Sequence, residues 1–300
     1  LEDIAQPKCF RILDTLREEM NIPVWHDDQQ GTAAVNLAGL FNALDIVGKD
    51  IGSVRIVMYG SGAANIATAR LLLAAGAESG NLILIDSRGA LYAGRADLDD
   101  SNPEKLRLAQ ITNADRVTGG PEDAFRGADV VFSYTKPGPD VIKPEWITSM
   151  ARDAILFACA NPVPEIWPWD AKDAGARIVA TGRSDFPNQV NNSLGFPAIF
   201  RGTLDVRART ITDGMCIAAA RELAECARET GLSEERLIPT MDESWVYPRV
   251  AVAVGLAAVS EGVARSPLDR EQLLKKAAGT IQAAQEMTKS LMREGFIPLP

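Results

Sequence analysis

From Leu1 to Met20 the stretch "LEDIAQPKCFRILDTLREEM" carries apolar residues at helical spacing and reads as an amphipathic opening helix. A short strand is expected around Pro23 to Trp25. Residues Gly31 to Val47 return to helical spacing and stop at Gly48, a helix-ending glycine. Then the period changes. "VRIVMYG", "NLILID", "ADVVFSY", "AILFACA" and "RIVATG" are short, continuously apolar runs rich in Val and Ile, separated by helical stretches. Strands of a parallel sheet covered on both faces read this way. After Ser193 the strands stop, and four helices are expected over about Asn192–Thr203, Thr212–Thr230, Arg249–Ala264 and Leu268–Arg293. Within the third, "VAVAVGLAAVSEGVA" is small and apolar almost all round, which places that helix among several neighbours. The pattern predicts an α/β fold: a doubly wound Rossmann-type parallel sheet with a helical C-terminal cover.

Composition changes this picture little. With 46% hydrophobic and 24% charged residues the chain is neither disordered nor collagen-like. Forty acidic against thirty-one basic residues give a formal charge of -9, without a Lys/Arg cluster. That balance argues against nucleic acid or an anionic membrane as partner, and favours small molecules or copies of the chain itself. Cys9, Cys159, Cys216 and Cys226 are too scattered for a zinc site or a disulfide framework and read as buried, reduced thiols. No apolar run approaches the roughly 18 residues of a membrane span, and no signal peptide is visible, so a cytoplasmic location is expected. Because Leu1 already lies inside a helical pattern, an upstream segment is expected as well.

"VRIVMYGSGAANIATARLLLAAGA" presents strand, glycine-rich turn and helix in the order a dinucleotide site requires. Gly60 is suited to the tight turn, Gly62 to close approach of a pyrophosphate, and the first helical turn to donating free N–H groups. Asn65 stands where the third small residue of the fingerprint is expected. The second apolar run ends in Asp86, positioned to bond adenosine ribose hydroxyls, which favours NAD. Arg88 lies two residues further and suits a 2'-phosphate, so NADP stays open.

Two adjacent carboxylates, Asp27 and Asp28, follow the only histidine, His26, in "NIPVWHDDQQGTAAVNLAGLF", and Glu2 and Asp3 open the chain. Brought together, such oxygens repel unless a hard dication such as Mg²⁺ or Mn²⁺ neutralises them. The alternative is structural: Asp27 or Asp28 as a helix cap, Glu2 and Asp3 as first-turn charges. Asn161 in "FACANPVPE", and Asn191 and Asn192 in "TGRSDFPNQVNNSLGFPAIFRG", lie in loops leaving strand ends. They suit a polar substrate and a carboxamide ring, although Asn is also a common turn residue.

Together, "LEDIAQPKCF", "PVWHDDQQGTA", "GSGAANIA", "ANPVPEI", "TGRSDFPNQVNNSLGFPAIFRGTLDVRA" and "IPTMDESWVYPRVAVAVGLAAVSEGVAR" resemble malic enzyme of the bacterial and archaeal type. The resemblance implies a remnant of an N-terminal substrate domain over residues 1–28 and a dinucleotide-binding domain with C-terminal helices over 29–300. It implies Glu2, Asp3 and Asp28 as ligands of Mg²⁺ or Mn²⁺, with Asp27 beside them in a supporting catalytic role. Gly60, Ser61, Gly62, Ala63, Ala64 and Asp86 would hold NAD or NADP, and Asn161 and Asn192 would contact the nicotinamide end and malate. The implied activity is oxidative decarboxylation of malate to pyruvate and CO₂, in a homodimer or higher assembly. The family's acid tyrosine, base lysine and malate-binding arginine are expected in a domain preceding Leu1; Tyr59, Tyr92, Tyr134 and Tyr247 stand in other contexts. Two other readings remain: a dinucleotide- and metal-binding module without turnover, and a metal-independent Rossmann dehydrogenase of hydroxy or amino acids.

Overall fold

The computed structural model describes residues 1–298; the last two positions of the expected 29–300 domain lie outside the described residues. In chain order the elements are α1 (Lys8–Glu19), a π-helical turn over Asp27–Gly31, α2 (Thr32–Val47), β1 (Ile56–Tyr59), α3 (Ala63–Ala74), β2 (Leu82–Asp86), β3 (Gly89–Ala90), α4 (Pro103–Ile111), α5 (Pro121–Phe125) and β4 (Val130–Ser133). There follow α6 (Pro144–Thr148), β5 (Ala154–Ala158), α7 (Pro168–Asp173), β6 (Ala176–Thr181), α8 (Phe196–Asp205), α9 (Asp213–Thr230), α10 (Val246–Ser260) and α11 (Arg270–Arg293). The six strands form one sheet in the order β3-β2-β1-β4-β5-β6. All five apolar runs become parallel strands, and the two-residue β3 adds an antiparallel edge.

Alternation within the strands divides the core in two. Ile56 and Met58 of β1 join Leu82, Leu84, Phe132 and Phe157 on the face covered by α2 and α3, with α8 to α10 extending the same core. Val57 points the other way, with Ile83, Val131 and Leu156, against Phe125, Ile147 and Ala171 of α5, α6 and α7. With both faces covered, the strand positions between the ends are apolar, except for Arg177 on the edge strand β6. The reversal of strand order between β2-β1 and β1-β4 opens a crevice at the carboxyl ends of these strands. Asp86, Gly60 and Thr135 follow those ends.

In the C-terminal cover, α10 packs against α8, α9 and α11. Its approach to α8 depends on Gly202, where a Cβ would strike the Ala251 carbonyl. Gly255 similarly admits Leu273 of α11. α10 begins three residues earlier than its pattern suggested, with Pro248 in the first turn, where a missing N–H breaks no helical bond. Among the described residues no helix is long and apolar enough to cross a membrane.

The opening differs from its pattern. The first helix starts only at Lys8, because Pro7 has no N–H and excludes helical backbone at the residue before it. Glu2 and Asp3 therefore precede the helix, and first-turn charges on it they are not. Residues 23–25 form no strand. Instead the Leu1 nitrogen donates to the Trp25 carbonyl at 2.7 Å and the Asp27 N–H donates to the Leu1 carbonyl at 2.9 Å, laying the first residues alongside the π-helical turn. Cys9, Phe10 and Trp25 join the larger core.

Candidate dinucleotide and metal site

The turn after β1 is built for a backbone that comes close to something else. Gly60 has φ +93°, and a Cβ there would strike the Tyr134 carbonyl, so strain and space both demand glycine. At Gly62 an added Cβ would meet nothing within 4 Å among the described residues. Open space over an extended Gly62 at the start of α3, where no side chain caps the free N–H groups of Ala63 and Ala64, is the cradle a pyrophosphate needs. The Ser61 hydroxyl faces away, donating to the Ile85 carbonyl at 3.0 Å, so Ser61 has only its backbone N–H left for a phosphate.

Beside this turn lies a cleft of about 590 Å³, lined among others by Gly60, Gly62, Asp86, Arg88, Lys105 and Thr135. Asp86 is enclosed by cations. Arg95 grips it with two N–H···O bonds of 3.0 and 2.6 Å, Lys105 donates at 3.1 Å and the Arg88 N–H at 2.9 Å. Burial pushes the carboxyl up, but these hydrogen bonds and the Lys105 charge outweigh it and hold Asp86 at about 2.

At the other end of the crevice, Asp27 is buried and committed. One carboxylate oxygen accepts from the Trp25 indole N–H at 2.9 Å, and the other accepts from the Asn192 side-chain amide. Asn191 caps the short turn that follows it, accepting from Ser193 N–H at 2.9 Å. Asp28 is half-buried and accepts from the Asp3 N–H at 2.8 Å, with His26 Nδ1 at 3.8 Å from its carboxylate. Glu2 and Asp3 are exposed. Asn161, also exposed, follows β5 and lies against Gly182, where a Cβ would meet its amide nitrogen at 3.1 Å.

The sequence profile described as "Malic enzyme, NAD binding domain" matches residues 29–122 and 139–265. The chain belongs to the malic enzyme family. It is 48% identical to the NAD-dependent malic enzyme of Geobacillus stearothermophilus over 88% of this chain and 54% of that protein. It is 45% identical to the NADP-dependent malic enzyme of Halomonas elongata over 92% of this chain and 67% of that protein. A crystal structure of Entamoeba histolytica malic enzyme superposes with a TM-score of 0.96 at 49% identity, covering 100% of this chain and 62% of that one. The chain thus spans about half to two thirds of the length of these relatives.

The residues proposed for a metal suit a hard dication by donor type, since all three offer carboxylate oxygens. Their segments are held together by the Asp3–Asp28 hydrogen bond. They do not close into a shell: among the described residues no group of three or more His, Cys, Asp or Glu side chains gathers as a metal site. Like charges exposed to water separate, and Asp27 is turned inward to Trp25 and Asn192. His26 is buried, and burial lowers its pKa; neither ring nitrogen has a hydrogen-bond partner among the described residues.

Two residues organise the crevice in roles that the sequence reading did not assign. Asn65, in the place of the third small residue, is fully buried and donates to the carbonyls of Tyr59 at 2.9 Å, Gly60 at 2.7 Å and Phe132 at 3.3 Å. It clamps the glycine turn to the ends of β1 and β4, so this departure reinforces the turn. Glu165 is also fully buried. It accepts from Ser133 Oγ at 2.7 Å, Thr135 N–H at 2.9 Å and Ala160 N–H at 3.0 Å, tying the loops after β4 and β5; burial pushes its pKa up against those donors. Its signal was "NPVPE", a carboxylate just beyond a strand end in an otherwise apolar stretch.

Proposed function

We propose that this protein oxidatively decarboxylates malate to pyruvate and CO₂ with reduction of NAD⁺ or NADP⁺, and depends on Mg²⁺ or Mn²⁺. The observation that carries the reading is the order of sites along the sheet edge: Asp86 at the end of β2, the Gly60–Ala64 turn after β1, Thr135 after β4 and Asn161 after β5. Neighbouring strands are about 4.8 Å apart, so the carboxyl end of β5, which Asn161 follows, lies about 10 Å from that of β1. An extended dinucleotide with its adenosine at Asp86 and its pyrophosphate at Gly62 runs its nicotinamide toward that end.

The residues of the chain then have distinct tasks. Gly60, Gly62, Ala63 and Ala64 orient the pyrophosphate, which fixes the ring that must face the substrate. Asn161 and Asn192 offer amide donors and acceptors to the carboxamide and to malate; Asn192 keeps its carbonyl free while its NH₂ binds Asp27. Asp27 orients Asn192 and so supports catalysis from behind. When bound, the nicotinamide would supply a hydride acceptor; Glu2, Asp3 and Asp28 would have to draw together to hold a dication, which would supply charge stabilisation for decarboxylation. Cytoplasmic location and assembly into a homodimer or higher oligomer belong to the same proposal.

The test is an absorbance assay at the nicotinamide band with malate and each cofactor, with Mn²⁺ or with chelator. Malate-dependent reduction abolished by chelator supports the reading. Reduction that persists in chelator indicates a metal-independent dehydrogenase, and cofactor binding without turnover indicates a non-catalytic module.

A further inference from the structure

We propose that Glu165 and Arg183 are positioning residues for Asn161: they clamp the backbone on either side of it, so that its amide meets the nicotinamide carboxamide already oriented. The proposal rests on reading Asn161 as the nicotinamide contact. An asparagine in an exposed loop has to be ordered before it can hold a ring, and that ordering subtracts from affinity. Asn161 is exposed, but its neighbours are fixed. The Ala160 N–H donates to Glu165 Oε2 at 3.0 Å, and the Pro162 carbonyl accepts from Arg183 Nη1. Gly182, beside Arg183, has no Cβ to crowd the Asn161 amide; one built there would meet Nδ2 at 3.1 Å and Oδ1 at 3.4 Å.

Both clamps are themselves anchored. Glu165 is fully buried, and burial outweighs its hydrogen bonds in raising its pKa, so the carboxylate is a costly choice here. What it offers is two acceptor oxygens. Oε1 takes Ser133 Oγ at 2.7 Å, Thr135 N–H at 2.9 Å and Thr135 Oγ1 at 3.2 Å, which leaves Oε2 for Ala160. Thr135 lines the cleft with Gly60, so one side chain registers the Asn161 loop against the wall of the proposed cofactor site. Arg183 is held as firmly. Its Nε and Nη2 donate to the two Asp185 oxygens at 2.7 and 2.6 Å, and its guanidinium lies 5.3 Å from the centre of the Phe186 ring, which leaves Nη1 aimed at Pro162. The loops after β4 and β6 thereby hold the residues before and after Asn161.

Calorimetric titration of the purified protein with NAD⁺ against ADP-ribose, and with NADP⁺ against 2'-phospho-ADP-ribose, tests this without turnover, because the affinity ratio within each pair isolates the nicotinamide. In Glu165→Gln the single amide oxygen stays with the donors of Ser133 and Thr135, and its NH₂ is turned on the Ala160 N–H. The ratio should fall about threefold or more while ADP-ribose binds as before, and Arg183→Met should do the same. In an Asn161→Ala background neither substitution should lower the ratio further. Equal weakening of both members of a pair, an unchanged ratio, or effects that add fully to that of Asn161→Ala overturn the positioning role. If Glu165→Gln fails to fold, Arg183→Met at the surface decides the matter by the same ratio. A parent protein that binds both members of each pair equally, with Asn161→Ala indistinguishable from it, overturns the nicotinamide reading of Asn161 and this proposal with it.

Discussion

The side-chain amide of Asn192 donates to the carboxylate of Asp27 across 165 positions of sequence, joining the π-helical turn to the loop before α8. Trp25 donates to the other oxygen, so a single buried carboxylate fixes both an aromatic anchor of the core and an amide proposed to face substrate. Replacing Asp27 by Ala leaves the buried Trp25 N–H without an acceptor, costing about 1–3 kcal/mol, and frees the half-buried Asn192 amide at a smaller cost. Asp27→Ala should therefore lower the urea midpoint with an unchanged m-value and alter tryptophan fluorescence. Asp27→Asn, which keeps one acceptor oxygen, should cost less. If the two variants unfold like the parent, the bond to Asn192 contributes nothing to stability.

The two glycines of the turn should separate folding from binding. Gly60→Ala forces a side chain into φ +93° and against the Tyr134 carbonyl, so it should destabilise the protein by more than the roughly 1–3 kcal/mol of backbone strain alone. Gly62→Ala adds a methyl to open space and should leave the melting temperature within about 2 °C. The same methyl occupies the pyrophosphate cradle, and nucleotide affinity should fall at least tenfold. Thermal unfolding paired with nucleotide titration on both variants checks the contrast.

Asn65 offers a direct test of its clamp. Asn65→Gly restores the third glycine of the fingerprint but removes the donors to Tyr59, Gly60 and Phe132, and adds a helical glycine penalty. The expected loss is about 2–3 kcal/mol in chemical denaturation, with faster hydrogen exchange in the 60–66 turn. A stabilised Asn65→Gly protein would show that the amide is a tolerated substitution and no clamp.

Acid sensitivity should report the Asp86 cluster. Its folded-state pKa of about 2 lies below the ordinary 3.8, so the unfolded chain binds the proton more readily. The contribution to stability is present above pH 3.8 and is lost as pH falls through about 2, on the order of 2 kcal/mol in all. Urea midpoints measured across this window should fall with acid. Lys105→Ala, which removes one favourable charge, should flatten that dependence.

What the sequence determined by itself was whatever depends on neighbours along the chain. Continuous apolar runs located all five parallel strands, and the glycine pattern located the tight turn at the start of α3 where a phosphate is proposed to bind, because strand burial and backbone freedom are local properties of residue type. Helices α9 and α11 were legible within about two residues for the same reason, while the opening helix was overextended past Pro7. Only the tertiary structure decided the partners of the polar side chains. Asp86 looked like a free acceptor until Arg95 and Lys105 folded over it, and Asn65 looked like a defect until Phe132 arrived from a neighbouring strand. Glu165 and Asp27 belong to the same class: a buried carboxylate is stable only with donors, and the fold draws those donors from positions far apart in sequence, where no spacing rule reaches.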